Sequence, residues 1–229
     1  MDVPSLTLWG IALTKIVNGS SLQPLSGTVR RIVLLLHGYG SSGSDLISFA
    51  PHWRQALPDT LFLAPNAPQR CGPMSGYQWW PLSAFSPQAL AAGAASAAPA
   101  IDAFIDRKLA QYRLSKADLA IVGFSQGAMM ALHVGIRRPQ PVAAIVGYSG
   151  MLTGAAELAR VPITRPPVLL IHGSDDPIVP VAALHGAAAQ LRELGLNVSE
   201  HVSPGLGHTV DQVELRLGGE FVAKELGVR

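Results

Sequence analysis

Ala120-Ile121-Val122-Gly123-Phe124-Ser125-Gln126-Gly127-Ala128-Met129-Met130 is an apolar run stopped by a Gly-x-Ser-x-Gly turn and resumed as a small, apolar, helix-favouring segment. A serine on so sharp a strand-to-helix turn is pushed out beyond the sheet edge, where its hydroxyl can act as a nucleophile. The flanking glycines remove side chains that would collide in the bend, and Gln126 opens a helix whose first N–H groups face the reacting atom. Ser125 is therefore the candidate nucleophile. The pentapeptide alone is a weak signal in a chain with 23 glycines, since a glycine-rich turn with a helix-capping serine gives the same pattern. Its setting has to decide.

Apolar runs of strand length recur at 31–36, 61–64, 119–122, 142–146, 168–171 and 198–202, each ending in a turn signal. Near-continuous Val/Ile/Leu runs mark strands covered on both faces, as in a parallel sheet between helices. Helix-like segments alternate with them at 45–57, 86–112, 126–138, 181–194 and 211–226. The alternation predicts an α/β protein with an open, mostly parallel, doubly wound sheet, binding its ligand beyond the carboxyl ends of the strands. No linker divides the chain, so residues 1–229 are read as one domain. The alanine-rich stretch 89–100 is taken as helix, bent or restarted at Pro99, and 6–17 as an additional strand or hairpin.

Composition narrows the function classes. Of 229 residues, 48% are hydrophobic and 14% charged, with a mean hydropathy of +0.30, which suits a large buried sheet and excludes a disordered chain. The net charge is +2 and the arginines are scattered apart from Arg30-Arg31 and Arg137-Arg138, so no nucleic-acid partner is expected. Cys71 is the single cysteine, which leaves no intrachain disulfide and no cysteine-based metal site. Asp2 stands where a leader would be basic, and the apolar stretch 6–13 is too short to span a bilayer. The expectation is a soluble cytoplasmic protein without stable membrane insertion.

A serine hydroxyl needs a neutral imidazole to take its proton and a carboxylate to fix that imidazole's tautomer. Ile171-His172-Gly173-Ser174-Asp175-Asp176-Pro177 places acids just past a strand end, and Gly205-Leu206-Gly207-His208-Thr209 places a histidine just past the last strand. The chain order Ser125, Asp176, His208 is that of serine hydrolases built on an α/β sheet. Asp176 is preferred because Pro177 stiffens the chain behind it, with Asp175 the competitor and an Asx turn the plain structural alternative for either. His37 and His172, at strand ends, are assigned to loop backbone. No pair of histidines has zinc-protease spacing, so neither metal nor cofactor is expected. The glycines of Leu36-His37-Gly38-Tyr39-Gly40 let backbone approach a reacting carbonyl, and the N–H groups of Tyr39 and Gln126 would cradle its oxyanion.

Together with Ala64-Pro65-Asn66-Ala67-Pro68, Gly76-Tyr77-Gln78-Trp79-Trp80, Asp176-Pro177 through Val179-Pro180 and Gly207-His208, these stretches resemble the phospholipase/carboxylesterase family of α/β-hydrolases, from about residue 32 to 226. The resemblance implies an α/β-hydrolase fold without a large cap domain, with Ser125 as nucleophile, Asp176 as orienting acid, His208 as general base and the amides of Tyr39 and Gln126 as oxyanion donors. It implies a serine carboxylesterase acting on short- to medium-chain esters. Acyl-protein thioesterase or lysophospholipase activity with the same triad is the alternative, and a non-catalytic binding scaffold the remote one. Trp79-Trp80-Pro81-Leu82 departs from the aromatic-aspartate sequence of eukaryotic-type thioesterases, which counts against long-chain protein deacylation. Trp79 and Trp80 are candidates for an apolar substrate wall, or else anchors of their loop. The expected partner is a small acyl ester or thioester, and a homodimer is left open.

Overall fold

The computed structural model describes residue 16 and residues 19–72 and 76–228, so most of the segment 6–17, read as a strand or hairpin, lies outside the described residues. Nine strands are assigned: β1 Gly19–Leu22, β2 Arg31–Leu36, β3 Thr60–Pro65, β4 Gln69–Arg70, β5 Tyr77–Gln78, β6 Leu119–Phe124, β7 Ala144–Tyr148, β8 Val168–Gly173 and β9 Val198–Ser203. The helices are α1 Gly43–Leu46, α2 Ala50–Trp53, α3 Pro87–Tyr112, α4 Gln126–Arg137, α5 Ala155–Leu158, α6 Ala182–Glu193 and α7 Gln212–Glu225. Seven strands form one sheet in the order β1-β3-β2-β6-β7-β8-β9, with β4 and β5 a separate two-stranded ribbon. Every pairing in the large sheet is parallel except β1 with β3.

The period of two along each strand sorts the core into two layers. On β2, Ile32, Leu34 and Leu36 join the layer that holds Leu90, Ala94, Ala97, Ile101 and Ile105 of α3, Met130 and Val134 of α4, and Leu184 and Leu191 of α6. Val33 and Leu35 point the other way, to Trp53 of α2 and Leu215 and Val222 of α7. Helices therefore cover both faces, which is why the inner strands β2, β3, β6, β7 and β8 are apolar at nearly every position. α3 is long and apolar enough to cross a bilayer by length and composition, and here it supplies the core face just described. It also continues as one helix through Pro99 and does not restart there. The segment 45–57, expected as one helix, is α1, a 3-10 turn at Ile47–Phe49, and α2, because Pro51 has no N–H to continue the ladder.

The connection from β2 leads to β3 on one side, and the chain then crosses to β6 on the other side of β2. Strand order reverses there, and in open α/β sheets the crevice beyond such a reversal is where ligands bind. β2 and β6 pair as far as Leu36 and Gly123, so the loop after β2 and the turn after β6 leave the sheet side by side.

That turn is a single residue, Ser125, held at φ 54° and ψ −117°. Positive φ on a non-glycine residue is strained and persists only where the surroundings enforce it. Two glycines make it fit. A Cβ on Gly127 would stand 1.8 Å from the Leu36 carbonyl oxygen, and one on Gly123 would stand 2.1 Å from the Gly127 carbonyl oxygen. We predict that Gly127→Ala lowers stability by about 3 kcal/mol or more, beyond ordinary overpacking, because the obstacle is backbone. Gly186→Ala in α6 meets nothing within 4 Å and should be neutral or stabilising by up to about 1 kcal/mol. Urea unfolding followed by tryptophan fluorescence checks both, and equal effects would contradict the packing account.

Candidate active site

The site grows from the strand ends around the reversal. Ser125 donates its backbone N–H to the Tyr148 carbonyl at the end of β7 (2.9 Å), and its own carbonyl accepts from Ala128 and Met129 in the first turn of α4. The elbow is thus tied to the sheet on one side and to the helix on the other. A Cβ on Gly38 would lie 3.3 Å from the Ser125 Cβ, so the loop after β2 passes directly over the serine. Among the described residues, the backbone N–H groups of Tyr39 and Gln126 enter no turn, cap or loop hydrogen bond. The Tyr39 side chain itself faces solvent.

His208 and Asp176 come together from the loops after β9 and β8. His208 Nδ1 donates to Asp176 Oδ2 at 2.7 Å, which leaves Nε2 free to accept a proton. Asp176 Oδ1 accepts the N–H groups of Ile178 and Val179 at 2.8 and 2.9 Å, the turn that Pro177 enforces. His172 Nε2 lies 2.8 Å from the Val179 carbonyl and 3.2 Å from Asp176 Oδ2, so it braces the same loop. Burial opposes the charge on Asp176, yet the hydrogen bonds from His208, Val179 and Ile178 outweigh it and hold the carboxyl below the ordinary aspartate range. Asp175 turns away, accepting from the Ser174 hydroxyl. The structure pairs His208 with Asp176.

The Phe124 ring lies 4.9 Å from the His208 ring, centroid to centroid, which sets the imidazole against the residue preceding Ser125. No hydrogen bond joins Ser125 Oγ to the imidazole in this structure. Catalytic hydrogen bonds of this kind are often loose in the absence of substrate and tighten when it binds.

Trp79 and Trp80 lie in the core, 1% and 3% exposed, and their hydrogen bonds hold the site's loops. Trp79 donates its indole N–H to the His37 carbonyl (2.9 Å) and its backbone N–H to Gln126 Oε1 (3.0 Å), while Gln126 Nε2 donates to the Trp80 carbonyl (2.9 Å). The same strip is laced to the loop after β2 by Gly40 N–H to the Tyr77 carbonyl and Tyr77 N–H to the Ser41 carbonyl. His37 completes the frame. Its Nε2 accepts the Ala67 N–H, so Nδ1 carries the proton and donates to the Gly38 carbonyl, and burial pushes this imidazole's pKa down. The sequence placed His37 and His172 correctly on loop backbone. The clamp made by the Gln126 side chain was invisible in it, because a glutamine at a helix start gives no sign of facing inward.

Among the described residues no cluster of His, Cys, Asp or Glu suits a metal ion. A strained serine at the reversal of a mostly parallel, helix-flanked sheet, with no large cap among the described residues, defines an α/β-hydrolase, an enzyme of the serine hydrolase class. The chain belongs to the phospholipase/carboxylesterase family, whose model matches residues 18–226. It is similar to the solved structure of esterase PE8, at 44% identity and a TM-score of 0.86 over 90% of this chain and 97% of that one. Among curated proteins it is 26% identical over 184 residues to the esterase YpfH of Escherichia coli, covering 80% of this chain and 77% of the relative. It is 28% identical over 215 residues to acyl-protein thioesterase 1 of Gibberella zeae, covering 85% and 90%.

Gln126→Leu keeps the side chain's bulk, preserves the Gln126 backbone N–H, and strands the buried Trp79 N–H and Trp80 carbonyl. Each orphaned group costs about 1–3 kcal/mol. The expected loss in urea unfolding is about 2 kcal/mol or more, with a lower kcat as the loop over Ser125 loosens. Unchanged stability would contradict the clamp.

Proposed function

We propose that the protein is a carboxylesterase that hydrolyses short- to medium-chain carboxylic esters through Ser125, His208 and Asp176. The observation that carries this reading is the strained Ser125 beside the hydrogen-bonded His208–Asp176 pair at the sheet's reversal. His208 Nε2 takes the proton as Ser125 Oγ attacks the acyl carbon, and the fixed Asp176 carboxylate balances the imidazolium. The N–H groups of Tyr39 and Gln126 receive the oxyanion. Collapse expels the alcohol with the proton from His208, and water repeats the sequence on the acyl-enzyme. Asp176 stays ionised throughout, since the three hydrogen bonds it accepts favour the charge.

We assign the acyl chain to a groove on the Met151 side of the elbow. A Cβ on Gly150 would lie 3.2 Å from the Ser125 carbonyl oxygen, and the next residue, Met151, enters a groove of about 500 Å³ whose walls include Phe85, Leu90, Leu152 and Thr153. That volume is within the range of small-molecule sites. Phe85, 73% exposed, stands at its rim. Because Trp79 and Trp80 are buried, we assign them to positioning the loop over Ser125, and the groove takes the role of apolar wall. Thioester hydrolysis uses the same acyl-enzyme, and the relatives named acyl-protein thioesterase favour it as the second reading.

Three outcomes test these assignments. A fluorophosphonate probe should label Ser125 stoichiometrically, and Ser125→Ala should lower kcat on p-nitrophenyl butyrate by about 10⁴-fold or more; near-normal turnover by the folded variant would refute the nucleophile. Leu152→Trp fills the groove and should cut the octanoate-to-acetate ratio of kcat/KM by about tenfold. Each methylene denied burial is worth about 0.8 kcal/mol, about fourfold in rate. An unchanged ratio would place the acyl chain elsewhere.

A further inference from the structure

Glu214 occupies the third position of α7, six residues beyond His208, and is fully buried. Asp211 caps the helix by accepting the Glu214 N–H at 2.8 Å. A glutamate in this position ordinarily reaches back to the N-cap backbone N–H. Here the carboxyl is buried, and neither of its oxygens has a partner in hydrogen-bond geometry. No ion pair involves it among the described residues.

Its neighbours offer nothing to balance a charge. Tyr148 of β7 donates its hydroxyl to the Glu214 backbone carbonyl (3.3 Å), and Trp53 of α2 donates its indole N–H to the Leu215 carbonyl (2.8 Å). The Ser203 hydroxyl at the end of β9 and the Asp211 N–H face the carboxyl without reaching hydrogen-bond geometry. The titratable groups acting on it are Asp211 on its own helix and Tyr148 from β7, one a like charge and the other a phenol that burial keeps protonated. An ionised carboxylate in such a place is costly, whereas the neutral acid is tolerated. Burial, seconded by the Asp211 carboxylate and opposed by the Ser203 hydroxyl, pushes its pKa up to about 7.

Ser203 is where this bears on the site. Its carbonyl accepts the Ser174 N–H (3.0 Å), and the Ser174 hydroxyl accepts the Gly205 N–H (2.8 Å). Asp175 N–H adds a bond to the Leu206 carbonyl (2.9 Å). The end of β9 thus ties the loop of Asp176 to the loop of His208, and Glu214 lies against that knot.

We propose that Glu214 is a positioning residue for the His208–Asp176 pair: an uncharged, buried carboxyl that keeps the Ser203 knot seated, and whose ionisation loosens it. The proposal rests on the reading of His208 as general base. A carboxyl held neutral by the fold stabilises it at low pH, and that contribution is lost as pH rises from the ordinary glutamate range through about 7.

The test compares the full-length protein with Glu214→Gln and Glu214→Met, two uncharged replacements, by kcat/KM on p-nitrophenyl butyrate from pH 6 to pH 9. Titration of His208 is common to all three and cancels in the ratio. The wild-type to variant ratio is expected to fall by at least about threefold, in one step centred near pH 7, while the wild type's melting temperature relative to the variants' falls up to about pH 7 and is level above it. A ratio flat across that range overturns the proposal, and so does failure of both variants to fold at pH 6, since that would mean the charge is required. One folded variant suffices for the comparison. The triad fails separately: His208→Ala retaining activity would sink the base assignment whatever the Glu214 ratio shows.

Discussion

The approach of α4 to the end of β2 is the constraint on which the rest depends. Gly127 sits so close to the Leu36 carbonyl that no side chain could intervene, and this contact allows strand β6 to become helix α4 across the single residue Ser125. The strain at Ser125 is offset by packing on both sides, with a sheet hydrogen bond to Tyr148 and helix bonds to Ala128 and Met129. Because β2 and β6 are neighbours at the point where strand order reverses, the same contact brings the loop after β2 over the serine. The strained turn at Ser125 and the loop placed over it follow from one backbone approach.

The loop over Ser125 would be loose if only its own turns held it. It is instead framed by the His37 imidazole, the Trp79 indole and the Gln126 side chain, each bridging backbone groups distant in sequence. Gln126 therefore enters the site twice, through the backbone N–H proposed as an oxyanion donor and through a side chain fixing the strip that braces the loop. Preorganised donors act without reorganising during reaction, so rigidity here bears directly on rate.

Much of this was legible in the sequence, for identifiable reasons. The six runs expected as strands are all in the main sheet, and five of them are near-continuously apolar because burial on both faces leaves little choice of residue, whereas β9, Val-Ser-Glu-His-Val-Ser, is only partly buried at the sheet edge. β1 escaped notice because Gly-Ser-Ser-Leu lies at the sheet edge, where its outer residues need not be apolar. Asp176 could be preferred over Asp175 from Pro177, and the structure shows the reason, an Asp-Pro turn closed by two backbone N–H groups on the same oxygen. Trp79 and Trp80 illustrate the limit. A Pro/Gly-punctuated aromatic loop reads equally as substrate wall or anchor, and what separates the two is the depth at which Gly93 of α3 lets Trp80 settle, with a Cβ there only 2.2 Å from the indole.

Asp176 and Glu214 are both buried beside the loops that converge on His208, yet their surroundings drive them apart. Asp176 meets two backbone N–H groups and the His208 imidazole, so hydrogen bonds overcome its burial and keep it charged. Glu214 meets a phenol, a serine hydroxyl out of reach and a like-charged aspartate, so burial prevails. In the proposed mechanism one anion, Asp176, faces the imidazole as it becomes charged. Keeping the second carboxyl neutral lets it serve as packing without altering the charge balance that Asp176 sets.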